Sequence, residues 1–208
     1  MSADFLVEIG TEELPPKALF SLSQAFREEL VSQFSSYSLY FKEAEVFATP
    51  RRLAVLLKDL DEQAPNKDLV VWGPPAKIAF DANGRPTAAA QAFAVKNHLP
   101  IGALSGKIEN DGTQDKLCHR TNKPGQKTSE LAGSIIEAAL AALPVPKKMR
   151  WGANPYEFVR PIHWVLVLFG ENILPVQIMG LTSSNTSQGH RFHSRGDVVI
   201  ASPASYKE

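Results

Sequence analysis

Leu19, Leu22, Phe26, Leu30 and Phe34 recur at spacings of three and four directly after Pro15 and Pro16. The spacing predicts one amphipathic helix over 16–36 with a single apolar stripe. No other stretch constrains the fold as strongly, because such a stripe is stable only when another layer covers it. A proline at the first helical position carries no penalty, since that N–H has no partner in any case. Ahead of the helix, "FLVEIGT" (5–11) reads as a strand closed by glycine. Between them stand Glu12 and Glu13, neighbouring carboxylates of the kind a hydrolase or metal site uses. No His, Cys or third carboxylate lies nearby at ligand spacing. The pair is therefore read as negative charge ahead of a helix N-terminus, worth about 0.3–1 kcal/mol.

"EAEVFATPRRLAVLLKDL" (43–60) reads as two strands meeting at Thr49–Pro50, the second apolar enough to be central. "VVWGPPAKIAFDANGRP" gives a strand and a loop with a turn at Asn83–Gly84. Residues 87–99 form a short alanine-rich helix capped by Thr87. "KIENDGTQDKLCHRTN" is a hairpin turning at Asp111–Gly112. Thr128 caps a further helix, ended by Pro144 and Pro146. "FVRPIHWVLVLFG" and "NILPVQIMG" are strands around Gly170–Asn172, with shorter strands in "SQGHRFHS" and "DVVIA". Hairpins recur and strands do not alternate regularly with helices. The expected class is α+β, a mostly antiparallel or mixed sheet with about three packing helices. The 208 residues, 44% hydrophobic, are enough for one domain or for two small closely packed lobes dividing near 62–86.

Twenty-two basic residues balance 22 acidic ones. Neutrality argues against an autonomous nucleic-acid-binding domain while leaving room for a local basic patch. A single cysteine, Cys118, cannot form an internal disulfide, which points to a reducing compartment. "MSADFLVEIG" lacks a basic n-region, and "WVLVLFG" is too short to span a bilayer. A cytoplasmic protein without membrane contact is expected. The sequence has no phosphate-binding loop, dinucleotide fingerprint, HExxH, paired CxxC or GxSxG elbow. Cys118 and His119 are neighbours that point to opposite faces of a strand, as do His190 and His193 three apart. No catalytic residue and no metal ligand is assigned.

The richest stretch is "PVPKKMRWGANPYEFVRPIHW" (144–164). Lys147, Lys148, Arg150 and Arg160 alternate there with Trp151, Tyr156, Phe158 and Trp164, and His163 sits among them. Cationic side chains neutralise phosphates and aromatic faces stack unpaired bases, so the mixture suits RNA. The alternative is that the aromatics fill the core while the lysines are merely solvated. Arg51 and Arg52, at the strand junction, offer guanidinium forks to phosphate or carboxylate; the alternative there is a structural salt bridge. Arg191 belongs to a polar stripe with His193 and Arg195. The RNA-contact candidates are thus Arg51, Arg52, Lys147, Lys148, Arg150, Trp151, Arg160, His163 and Arg191, chosen on charge and aromatic content alone.

"FLVEIGTEELPPKAL", "ATPRRLAV", "LPVPKKMRWG", "FVRPIHWV" and "GHRF" together resemble the N-terminal part of the beta subunit of bacterial glycyl-tRNA synthetase, the form built from separate alpha and beta chains. They occur in that family's order from Phe5 to about His193, and residues 65–127 carry the match poorly. The resemblance implies a part of glycine–tRNA ligase, itself non-catalytic and inactive alone, contributing to tRNA handling and assembly. ATP, with magnesium, and glycine would be handled by the alpha subunit, in an assembly of two alpha and two beta chains. The implied partners are that subunit, glycine tRNA and the rest of the beta chain, which is much longer and ends in an anticodon-binding domain absent here. The closing "SPASYKE" fits that expectation of a longer chain. Two other readings stand beside it: a purely structural docking segment, and an editing-type hydrolase acting on mischarged tRNA.

Overall fold

The computed structural model describes residues 1–145, 147–153, 155–190 and 196–207. The first half of the chain runs β1 (Ser2–Thr11), α1 (Pro16–Ser36), β2 (Glu43–Thr49), β3 (Arg52–Asp61), β4 (Lys67–Pro75), α2 (Ala76–Ala79) and α3 (Ala88–Lys96). It continues with β5 (Ile108–Asn110), β6 (Asp115–Lys123), α4 (Thr128–Ala142), β7 (Met149–Arg150), β8 (Glu157–Phe158) and β9 (Ile162–Phe169). Short strands close it: β10 (Asn172–Ile173), β11 (Gln177–Ile178), β12 (Leu181–Thr182), β13 (Thr186–Gln188) and β14 (Asp197–Val199). The fold is α+β, and every paired strand runs antiparallel to its neighbour. Two compact units emerge, Met1–Pro65 with Gln126–Glu208, and Asn66–Gly125.

The first unit is built on a five-stranded sheet ordered β10-β9-β1-β3-β2. β1 lies in its middle and is buried on both faces, which is why it reads as a continuous apolar run. Phe5, Val7 and Ile9 project to one face and share a core with Phe26, Leu30 and Phe34 of α1 and with Leu131 and Ile135 of α4. The rings of Phe5 and Phe34 meet edge to face at 5.2 Å. Each large side chain of the α1 stripe buried this way contributes about 1.5–3 kcal/mol. On the opposite face Leu6 packs with Leu56, Leu166, Leu168 and Ile200. There the segment after β12 covers the sheet, with β13 and β14 pairing from Thr186↔Val199 to Gln188↔Asp197.

The second unit carries a three-stranded sheet ordered β4-β6-β5 over a small core of Ala79, Ala90, Phe93, Ala94, Leu104 and Leu117. The β5–β6 turn holds Gly112 at φ 96°, a conformation that favours glycine. Asp111 Oδ1 accepts the N–H groups of Thr113 and Gln114 at 2.9 Å each. The Lys116 ammonium and these N–H groups pull the Asp111 carboxyl down to about 2. Cys118 is buried on β6, and burial together with the nearby Glu109 charge pushes its thiol up, which makes it unreactive.

Thr87 takes the N-cap position of α3 as expected but without a side-chain cap bond, and Thr128 does not take the cap of α4. Thr87 precedes α3, but its hydroxyl donates backwards to Ile78 O at 2.8 Å and to Ala79 O. Thr128 is the first residue of α4 and fully buried, so its hydroxyl satisfies the strand carbonyl of Asp61 at 2.5 Å. Lys127 takes the cap position, its N–H directed at Glu130 Oε2. A buried hydroxyl is drawn to the nearest unpaired acceptor, whichever element supplies it.

Candidate functional site

The face of β1 that carries Leu6 also carries Glu8 and Gly10. Gly10 lies opposite Arg52 of β3 on one side and opposite Trp164 of β9 on the other. A Cβ at Gly10 would stand 1.9 Å from the Trp164 ring, so only glycine admits that ring across the strand. Glu8 is fully buried two residues earlier. Its Oε1 accepts Trp164 Nε1 at 2.6 Å and the Ser187 hydroxyl at 2.5 Å. Its Oε2 accepts Arg52 Nη1 at 3.2 Å and the Tyr206 hydroxyl. Arg52 also donates to the Ser187 hydroxyl at 3.0 Å and to Gln188 O. Burial, then the adjacent Glu8 charge, pushes the Tyr206 phenol up, which keeps it a proton donor. One buried carboxylate thus ties β1, β3, β9, β13 and the C-terminal segment together.

Beside this clasp the chain is stitched into a corner. Thr11 N–H donates to Arg51 O at 2.8 Å, Leu14 N–H to Pro50 O at 2.6 Å, and Glu12 N–H to Pro161 O at 2.9 Å. Arg160 Nε donates to Glu13 O at 3.0 Å, and Glu12 pairs with His163 at 3.0 Å. Four stretches far apart in sequence, around residues 12, 51, 162 and 189, meet here. They enclose a cavity of 390 Å³ lined by Glu13, Arg51, Arg52, Trp164, Gly189 and His190. A neighbouring cavity of 380 Å³ shares the Arg51, Gly189 and His190 wall. Four buried side-chain polar atoms lack a hydrogen-bond partner among the described residues, and three of them are Thr11 Oγ1, Arg51 Nε and Arg52 Nε. Orphaned buried donors cost about 1–3 kcal/mol each and are rare; Arg51 and Arg52 both line the 390 Å³ cavity, and Thr11 is joined to Arg51 through its backbone N–H.

The nine candidate contacts separate into groups. Arg51 and Arg52 share the corner cavity, yet Arg52 is engaged by Glu8 while the Arg51 guanidinium has no partner among the described residues. His163 is half-exposed and paired with Glu12, which lines the 380 Å³ cavity. Glu12 therefore faces β9, and the first turn of α1 contains no acidic residue. Arg160 links the corner to a second, mostly apolar groove of 430 Å³ that Lys147, Met149 and Val145 also line. Lys147 and Lys148 are exposed, the latter donating to Ala141 O at 3.1 Å. Arg150 is exposed and pairs with Glu157 at 2.7 Å. Trp151 is half-buried against the main core. Arg191, with His193 and Arg195, lies outside the described residues. Sequence reasoning missed Glu8, Gly10, Ser187 and Tyr206. The available signal was Glu8 itself, the one charge inside the apolar run of residues 5–11.

No helix among the described residues is long and apolar enough to cross a membrane. The family model described as glycyl-tRNA synthetase beta subunit matches residues 5–208. The chain is 46% identical over 208 residues to the glycine–tRNA ligase beta subunit of Hahella chejuensis, covering 99% of this chain and 29% of that protein. It is 43% identical to the Marinobacter nauticus beta subunit, covering 98% of this chain and 29% of that one. The Stutzerimonas stutzeri beta subunit is 45% identical, with 100% and 30% covered. The chain thus spans under a third of the length of these relatives.

Proposed function

The chain belongs to the glycyl-tRNA synthetase beta-subunit family, and from that premise we propose that it is a non-catalytic segment of glycine–tRNA ligase. It handles tRNA and helps hold the assembly together, in the cytoplasm, alongside the alpha subunit and the remainder of the beta chain. Its RNA is glycine tRNA. ATP and glycine are assigned to the alpha subunit, as the family resemblance implies.

The observation that carries this reading is Arg51, a guanidinium without a partner among the described residues, held in a cavity where four separate stretches converge. Arginine in that setting is suited to a phosphate it can engage through two N–H groups. The test uses the ligase assembled from full-length beta chain and alpha chain. Arg51→Ala is expected to raise the KM for tRNA about tenfold, the loss of one charge-assisted contact of roughly 1.5 kcal/mol. ATP–pyrophosphate exchange with glycine stays at the wild-type rate. Equal loss of exchange and aminoacylation would place the corner in the chemistry and overturn the reading.

A further inference from the structure

We infer that the 390 Å³ cavity at Arg51 receives one unpaired nucleotide of an RNA strand, its phosphate on Arg51 and an N–H group of its base on Glu13. The inference rests on the tRNA-handling reading above and specifies what enters the site. The volume lies at the low end of the range of about 300–1,000 Å³ typical of small-molecule sites. It suits a single nucleotide and is too confined for a duplex.

The chemistry of the walls narrows the ligand further. Thr11 Oγ1, Arg51 Nε and Arg52 Nε are buried at this corner without partners among the described residues. Arg52 has no freedom to supply its own remedy, because Glu8, Ser187 and Gln188 already hold its terminal nitrogens. The terminal nitrogens of Arg51, which are not buried and make no hydrogen bond or ion pair among the described residues, are the donors that an oxyanion in the cavity reaches, since a guanidinium binds phosphate oxygens through a fork of parallel N–H donors. A bare basic patch would serve any phosphate backbone. Here the wall also contains Glu13, whose carboxylate has no partner among the described residues. A carboxylate repels a run of phosphates but accepts the N–H groups of a base edge, the amino group of cytosine being the standard case. Anion-seeking and donor-seeking groups across one small cavity match a molecule with both features. A nucleotide has both, and it presents its base edge only where it is unpaired.

The test uses the same full ligase with cytidine 5′-monophosphate and uridine 5′-monophosphate as probes. Cytidine monophosphate is expected to inhibit aminoacylation competitively with tRNA and more strongly than uridine monophosphate. Arg51→Ala weakens that inhibition about tenfold, and Arg51→Lys, which keeps the charge without the fork, falls between. Glu13→Gln removes the preference for cytidine over uridine while leaving the salt dependence of tRNA binding as in wild type, because it removes no phosphate contact. If Arg51→Ala raises the KM for tRNA but neither nucleotide inhibits and Glu13→Gln behaves as wild type, Arg51 is a plain backbone contact. The nucleotide site is then wrong and tRNA handling stands. If Arg51→Ala leaves the KM for tRNA unchanged while Lys147→Ala with Lys148→Ala raises it, the cavity is again excluded and tRNA is handled elsewhere on the segment. If neither alters it, both readings fall together.

Discussion

Glu8→Ala lowers the stability of the first unit by about 3–5 kcal/mol in urea unfolding. The carboxylate is fully buried and accepts from Trp164, Ser187, Arg52 and Tyr206. Deleting it leaves four donors facing a void, and one of them is a cation. Arg52 keeps 21% of its side chain exposed, which lets water recover part of the loss and places the expectation in the lower half of that range. Glu8→Gln preserves the shape but brings an NH₂ against donors on every side. It is expected to cost about half as much, because one carbonyl oxygen still accepts. A cost below about 1 kcal/mol for the alanine variant would show that the clasp is not what holds the C-terminal segment to the sheet.

Gly10→Ala is the second large effect, at about 3 kcal/mol, the upper end for overpacking a filled site. The added methyl would sit 1.9, 2.0 and 2.4 Å from three atoms of the Trp164 ring. Neither strand can retreat, since β1 is hydrogen-bonded on both edges, to β3 and to β9. The ring must swing, and doing so takes Nε1 away from Glu8. The signature of this cause is coupling. In a Trp164→Ala background the ring is gone, so adding the Gly10 methyl costs at least 1 kcal/mol less than in wild type. Strictly additive effects would mean that Gly10 is required for a backbone reason and not for the tryptophan.

The regular elements were legible because their periods are local. The α1 stripe and its leading prolines located a helix that spans Pro16–Ser36, and the break at Thr49–Pro50 located the turn between β2 and β3. Asp111–Gly112 marked its hairpin because the turn needs a positive φ. The clasp was not legible. A strand buried on both faces shows no alternation, so nothing local reveals which face Glu8 occupies or that its partners come from as far away as residue 206. The run around 147–151 holds unlike environments that composition does not separate, with Lys147 and Lys148 exposed. Its composition resembles a nucleic-acid patch, while in three dimensions Trp151 leans on the core and Arg150 is spoken for by Glu157. Charge composition cannot distinguish a guanidinium with a carboxylate in reach from one without, and that difference separates Arg150 and Arg52 from Arg51. The short helix Ala76–Ala79 was read as loop because Pro74 and Pro75 dominate its neighbourhood.

The corner formed by residues 11–13, 49–52, 160–164 and 186–190 as the tRNA-contacting part of the segment is the central claim, and hydrogen exchange on the assembled ligase tests it most directly. Peptide amides are followed with and without tRNA, at low and at high salt. A bound strand that fills the cavity shields the corner and damps its local opening. The expected result is slowed exchange at 49–53, 160–164 and 186–190, reversed by salt as the phosphate contacts weaken, with 66–125 unchanged. Slowing confined to 147–151 or to 66–125, with the corner exchanging at its free rate, would contradict it.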